Sequence, residues 1–328
     1  MEKEISLVRR KNHQDGFLYF QKTVLKYFLI SKDIFRYICY NKRINYWKFG
    51  RQFHKKLSFY QFGYGSEVSS LKRRNQTIRD LIYIHLNEQD QYVLTYGIEF
   101  AEFAQTLSDS INNLLMLKHR FEHGDFNTHT MFDYVSRDKL GRLVEDDVYG
   151  YGDFCWIDFE EEEAVNELPG QTIAELLYLG HIKEHLKPPF YNYLSNRYVY
   201  LAHDDGWFNR TYYRDLNDFY RMLGEVIPGK MGQMKVEKTL LGIKKKKTYP
   251  PITRDVLLSL KPLMKEGAVL SIKDIEQNRV RIEIPIWIIG DFANMDDMYD
   301  EYEAIVKEPC EAKIVFDKKT REWKIYSR

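Results

Sequence analysis

An α+β fold is what this sequence predicts, and three observations predict it. Stretches of helical period and stretches of strand period both occur, they do not alternate regularly, and no internal repeat is visible. Regular alternation would have pointed to a doubly wound parallel sheet instead. The expected layout is a helical, basic, aromatic-rich region (1–125), a mixed α/β acidic region (126–229), a basic linker or loop (230–251) and a small β-rich unit (252–328). At 328 residues and 44% hydrophobic, the chain is long enough to bury a sizeable core without disulfide or metal staples.

Each element has its own warrant. Phe17–Ile30 is apolar-rich with Lys22 and Lys26 four apart, which predicts a partly buried helix. Residues 98–121 carry Phe100, Phe103, Ala104, Leu107, Ile111, Leu114, Leu115 and Phe121 on one helical stripe, with Gly124 as the stop. His119 and His123 then read as caps of that helix. Met131–Val135 and Arg142–Val144 are expected as strands around a Lys139-Leu140-Gly141 turn, and Phe154–Phe159 as another strand. Thr172-Ile173-Ala174-Glu175 is a capping-box pattern that opens a helix through Leu186, closed by Pro188-Pro189. Asp205-Gly206 between the aromatic-rich runs 198–202 and 207–213 predicts a hairpin. Asp218–Ile227 reads as a helix, and Val256–Lys265 as a short one that Pro262 disrupts. Ile282, Ile284, Ile286 and Ile288 alternate with Arg281, Glu283, Pro285 and Trp287, a half-buried strand that Pro285 assigns to an edge or bulge. Met295–Lys307 is an acidic amphipathic helix, and 312–317 with 322–327 a closing hairpin.

Charge is segregated. Residues 1–79 hold 18 Lys or Arg against five acids, whereas residues 143–182 hold 11 acids and no Lys or Arg. The two nearly cancel in a net charge of +1. There is no signal-peptide h-region at the start, and no uncharged run exceeds the ten residues 57–66, so neither secretion nor a membrane span is expected. Three widely spaced cysteines, Cys39, Cys155 and Cys310, fit reduced thiols in the cytoplasm. Nine alanines against 29 lysines and 26 isoleucines is the bias of AT-rich coding DNA, in keeping with a low-GC bacterium or its phage.

Three patterns carry candidate chemistry. His181-Ile182-Lys183-Glu184-His185 is an H-x-x-E-H string on the capped helix. Residues four apart share a helix face, so His181 and His185 would ligate one zinc and Glu184 would act as general base on its bound water. The string resembles the motif of the inverted zinc metallopeptidases, the pitrilysin-like family, and that resemblance of five residues implies a zinc-dependent hydrolase. No downstream Glu stands out as the third ligand, and the preferred reading packs both histidines beside Pro188-Pro189-Phe190. Ile157-Asp158-Phe159-Glu160 resembles the first metal-binding motif of DnaQ-type exonucleases, with paired carboxylates at a strand end. Asn209 stands where that family's second motif carries an acid. The preferred reading is an acidic surface of Asp158, Glu160, Glu161, Glu162 and Glu163.

The third pattern is the basic N-terminal block. Its 18 cations are interleaved with 16 aromatic rings. Arg9, Arg10, Lys11, Arg51, Lys55, Lys56, Lys72, Arg73 and Arg74, with Trp47 among the rings, form a candidate binding surface. Basic grooves with stacking rings hold single-stranded nucleic acid. Aromatic residues also anchor protein interfaces, and the compensating acidic block favours a protein partner or self-association. The leading expectation is therefore a soluble, non-catalytic interaction protein of the cytoplasm, an adaptor, inhibitor or immunity-type factor. Nucleic-acid binding and zinc hydrolysis are the alternatives. No cofactor is expected outside the zinc reading, and no membrane partner.

Overall fold

The computed structural model describes residues 80–328 except 119, 120, 147, 149–151, 183–188, 204, 205, 235, 239–243 and 293. All of them fall in the second of the chain's two units, Lys72–Arg328. The helix expected over Phe17–Ile30 lies outside the described residues. Helices and a large antiparallel sheet together make this part of the chain α+β.

The sheet has thirteen strands, and every pairing in it is antiparallel. In chain order they are β1 (Leu81–Asn87), β2 (Tyr92–Tyr96), β3 (Asn113–Met116), β4 (Asp125–Phe126), β5 (Asp133–Val135), β6 (Phe154–Phe159), β7 (Tyr198–His203) and β8 (Phe208–Tyr213). After the two-stranded ribbon β9 (Val236–Lys238) and β10 (Lys244–Lys246) come β11 (Ala268–Ser271), β12 (Glu276–Gln277), β13 (Arg281–Ile288), β14 (Ala312–Asp317) and β15 (Glu322–Ser327). Their spatial order is β15-β14-β13-β11-β1-β2-β8-β7-β6-β3-β5-β4, with β12 added beside β13. The C-terminal strands thus continue the sheet begun at β1, through four register pairs between β1 and β11.

Helices cover both faces. On the first lie α1 (Phe100–Thr106), α2 (Leu140–Glu145), α5 (Leu216–Met234), α6 (Arg254–Leu258) and α7 (Lys261–Lys265). Phe100, Phe103, Phe219, Leu223 and Leu257 from these helices pack on Ile82, Ile84, Trp156, Tyr200, Ile284 and Ile314. On the second face α3 (Glu162–Asn166) and α4 (Gly170–Ile182) cover β6, β7 and β8 with Val165, Leu176 and Leu179. Elsewhere on that face α8 (Met295–Ile305) covers β1, β2 and β11 with Met298 and Tyr302. The period of two along each strand sorts its residues: Phe154 and Trp156 face one core, Cys155 and Ile157 the other. Among the described residues no helix is long and apolar enough to cross a membrane.

Most expected elements are present, and the exceptions have physical causes. The helix expected over 98–121 stops at Thr106, and Leu114–Met116 belong to β3. Leu114 and Met116 face the first core and Leu115 the second, so the strand is apolar on both sides and lacks alternation. Asp109, Ser110, Asn112 and Asn113 break the helix between them, being residues whose side chains compete for backbone hydrogen bonds. Asn113 does so, donating from Nδ2 to Glu160 O at 2.9 Å and accepting from Arg137 N at 3.1 Å. With that helix ending at Thr106, His123 does not cap it and sits edge-on to the Phe121 ring, while His119 lies outside the described residues. The strand expected at Arg142–Val144 is helix α2, whose Leu140, Leu143 and Val144 meet the first core at helical spacing.

Helix α5 runs past Ile227 to Met234 with Pro228 inside it. Proline deprives the carbonyl four residues earlier of its donor, and here that carbonyl, Gly224 O, accepts Ile252 N at 2.8 Å instead. The approach needs glycine, since a Cβ on Gly224 would lie 2.3 Å from Ile252 O. Lys230, assigned from the sequence to the linker, sits on this helix; it is 4% exposed and pairs with Glu102 Oε1 at 2.8 Å. Pro285 also fits without an edge strand. Although β13 lies inside the sheet, β11 pairs with residues 286–288 and β12 with 282–283, so Pro285 falls in the gap between them.

Candidate functional site

The sequence-derived candidates divide into those the structure places and those it leaves out. Arg9, Arg10, Lys11, Trp47, Arg51, Lys55, Lys56, Lys72, Arg73 and Arg74 lie outside the described residues. So do Glu184, His185 and the side chain of His181, whose backbone forms part of the last turn of α4. Among the described residues no group of three or more His, Cys, Asp or Glu is placed to hold a metal ion.

Asp158 is not part of an acidic surface. It is 3% exposed on β6, and its carboxylate accepts from the backbone N–H of Tyr198 at 2.6 Å and of Arg197 at 3.0 and 3.1 Å. Burial pushes its pKa up to about 7, against the pull of those donors. Both oxygens are committed to shaping the start of β7. Glu160, Glu161, Glu162 and Glu163 are exposed. Glu162 and Glu163 occupy the first turn of α3, where a negative charge suits the helix dipole, and Glu162 accepts a hydrogen bond from Tyr134.

A cavity of about 640 Å³ opens elsewhere, on the second face beyond α8, where β13, the 306–311 connection and β15 meet. Strand alternation that sends Ile282, Ile284 and Ile286 into the first core sends Trp287 the other way, into its wall. The indole Nε1 donates to Glu308 O at 3.0 Å, which fixes the connection over the strand. Tyr326 enters from β15 and is 47% exposed. Asp274, Glu276, Glu308 and Glu311 contribute four carboxylates against the cations Lys313 and Arg328.

Hydrogen bonds decide which of these charges are free to act. Asp274 Oδ2 accepts from Ser271 Oγ at 2.6 Å and from Tyr302 OH at 2.9 Å. Burial, with Asp274 beside it, raises the Tyr302 pKa and keeps that hydroxyl a donor. Lys313 lies 2.9 Å from Glu276 and 3.0 Å from Glu283, and these bonds raise its pKa and hold it charged. Glu311 Oε2 accepts the backbone N–H of Ile288 at 3.2 Å. Glu308 is exposed; its carbonyl accepts the indole and its N–H donates to Ile305 O at 2.8 Å, and its carboxylate has no partner among the described residues. The cavity therefore offers an aromatic floor, a spare carboxylate on Glu308 and a negative balance, which suits a cationic side chain. The thiol of Cys310 also lines it, but the wall contains no histidine to act as its base.

Sequence reasoning did not find this cavity. Its one legible signal was Trp287, a large aromatic on the strand face otherwise occupied by Arg281, Glu283 and Pro285. No family model, no curated protein and no solved structure matches this chain.

Proposed function

We propose that the protein is a non-catalytic interaction protein whose folded acidic part binds a lysine- or arginine-bearing segment of a protein partner. The observation that supports this reading is the cavity of Trp287 and Tyr326, in which four carboxylates outnumber two cations. Charge over the larger scale agrees with it. Residues 80–328 carry 31 basic and 43 acidic side chains, a net of −12, so a basic segment is steered toward them. Aromatic walls supply contact area at low cost in side-chain entropy. Within this reading the basic N-terminal region remains a second surface, for the same partner or another copy.

Calorimetric titration of the full chain with a lysine-rich peptide tests the proposal, with a glutamate-rich peptide and a single-stranded oligonucleotide as competing arms. Selective binding of the basic peptide, weakened about tenfold or more by Glu308→Lys and by Tyr326→Ala, is the expected result. A basic peptide that fails to bind, or binds both variants as it binds the native chain, overturns the proposal. Salt-sensitive binding of the oligonucleotide alone would favour the nucleic-acid alternative.

A further inference from the structure

A second feature, of opposite charge, lies on the same face of the sheet, at the seam between its two helical covers. Tyr92 packs against both second-face cores, the one under α3 and α4 and the one under α8. Arg210 stands beside it on β8, between Leu94 of β2 and Leu201 of β7 in register. Leu94 belongs to one core and Leu201 to the other, so an arginine occupies the line where the covers part. Its guanidinium carbon lies 5.0 Å from the centre of the Tyr92 ring, which meets the Tyr212 ring edge-on at 5.4 Å.

The hydrogen bonds of this arginine are incomplete. Its Nε is buried and finds no acceptor among the described residues. Nor does any carboxylate among them stand within ion-pair distance of it. Burial raises the Tyr212 hydroxyl pKa while the nearby guanidinium opposes that rise, so the hydroxyl is a close neighbour. One phenol leaves most of a five-donor fork unmet. Two neighbouring arginines are matched: Arg197 reaches Asp218 at 2.7 Å and Arg214 Nε donates to Asn196 O at 2.7 Å. An unpaired charge on an inner strand is costly, and sites that bind charged ligands are where such a cost persists.

We propose that Arg210, braced by Tyr92, receives an oxyanion, the carboxylate or phosphate group of a bound ligand or partner, at this seam. The planar fork matches either group in two parallel hydrogen bonds, and the ring beneath fixes its plane. This site is independent of the acidic cavity, and either stands if the other fails.

Thermal unfolding of the full chain with inorganic phosphate, with glutarate and with chloride at matched ionic strength tests it, in the native protein and in Arg210→Met and Arg210→Lys. Methionine keeps the stem over Tyr92 and removes the donors. An anion at ten times its dissociation constant should raise the native midpoint by about 2–5 °C over chloride. Arg210→Met should lose that difference and melt no lower than the native protein without anion, the opposite of what a structural arginine would do. The arm with the larger shift tells phosphate from carboxylate. The Arg210 Nε–H resonance, assigned through Arg210→Lys, should move on titration and reports even if the methionine variant folds poorly. Equal shifts in native and Arg210→Met protein, or an Nε–H resonance indifferent to both anions, overturn the proposal.

Discussion

Replacing Asp158 with asparagine should make the protein's stability less dependent on pH. The carboxyl is buried on β6, and its pKa stands at about 7 rather than the ordinary 3.8. Burial, which disfavours the charged form, outweighs the backbone donors of Arg197 and Tyr198, which favour it. The folded chain therefore binds a proton more tightly than the unfolded chain does. That contribution to stability is complete below about pH 4 and is lost as the pH rises through about 7. The rise from 3.8 to about 7, at about 1.36 kcal/mol per pH unit, comes to about 4 kcal/mol. The asparagine side chain stays neutral throughout and keeps one oxygen to accept the Tyr198 N–H, which lies 2.6 Å from the native carboxylate. Urea unfolding of both proteins at pH 4.5, 6, 7 and 8 checks this, and the difference between them cancels all other titrating groups. Asp158→Asn should gain on the native protein by about 3 kcal/mol between pH 4.5 and pH 8. A difference that stays flat across this range, or moves in favour of the native protein at high pH, would refute the reasoning. The backbone donors would then be holding the carboxylate ionised.

The remaining predictions concern a buried ion pair and two glycines. Lys230→Met leaves Glu102, 19% exposed, without its cation and should cost about 3–5 kcal/mol in chemical unfolding. Adding Glu102→Gln should recover most of the loss, because the uncompensated charge is what destabilises. Gly267→Ala should destabilise by several kcal/mol, since Gly267 has φ +83° and its Cβ would fall 1.8 Å from Gly290 O. Gly141→Ala in α2 has open space around it and should instead stabilise by about 0.5–1 kcal/mol. Equal effects at the two glycines in a thermal melt would contradict the close approach at Gly267.

Much of the fold was legible where local chemistry and burial agree. The β7–β8 hairpin follows from Asp205-Gly206, β13 from its isoleucines, and α8 from its acidic amphipathic pattern, to which the structure adds Asn294 as an N-cap accepting Asp297 N at 2.9 Å. Legibility failed where burial is two-sided. Leu114-Leu115-Met116 fits a helix stripe and a doubly buried strand equally well, and only the partners β5 and β6 decide between them. The sites were less legible than the fold. Trp287, Glu308 and Tyr326 are brought together by the return of β14 and β15 across the sheet, and no spacing in the chain announces it. Asp158 read as surface because it precedes four glutamates, yet its direction is set by β7, some forty residues on.

The four-pair junction of β1 with β11 also orders the events of biosynthesis. The half-sheet from β4 to β1 is complete in sequence once residue 213 has left the ribosome, but β11 begins only at Ala268. Until then Leu81–Ile84, wholly buried in the finished protein, form an open hydrophobic edge on a nascent chain. Contacts spanning such sequence distances close slowly. A chain arrested between these points carries a sticky margin open to pairing with other chains, so the sheet closes only after residue 271 has also left the ribosome.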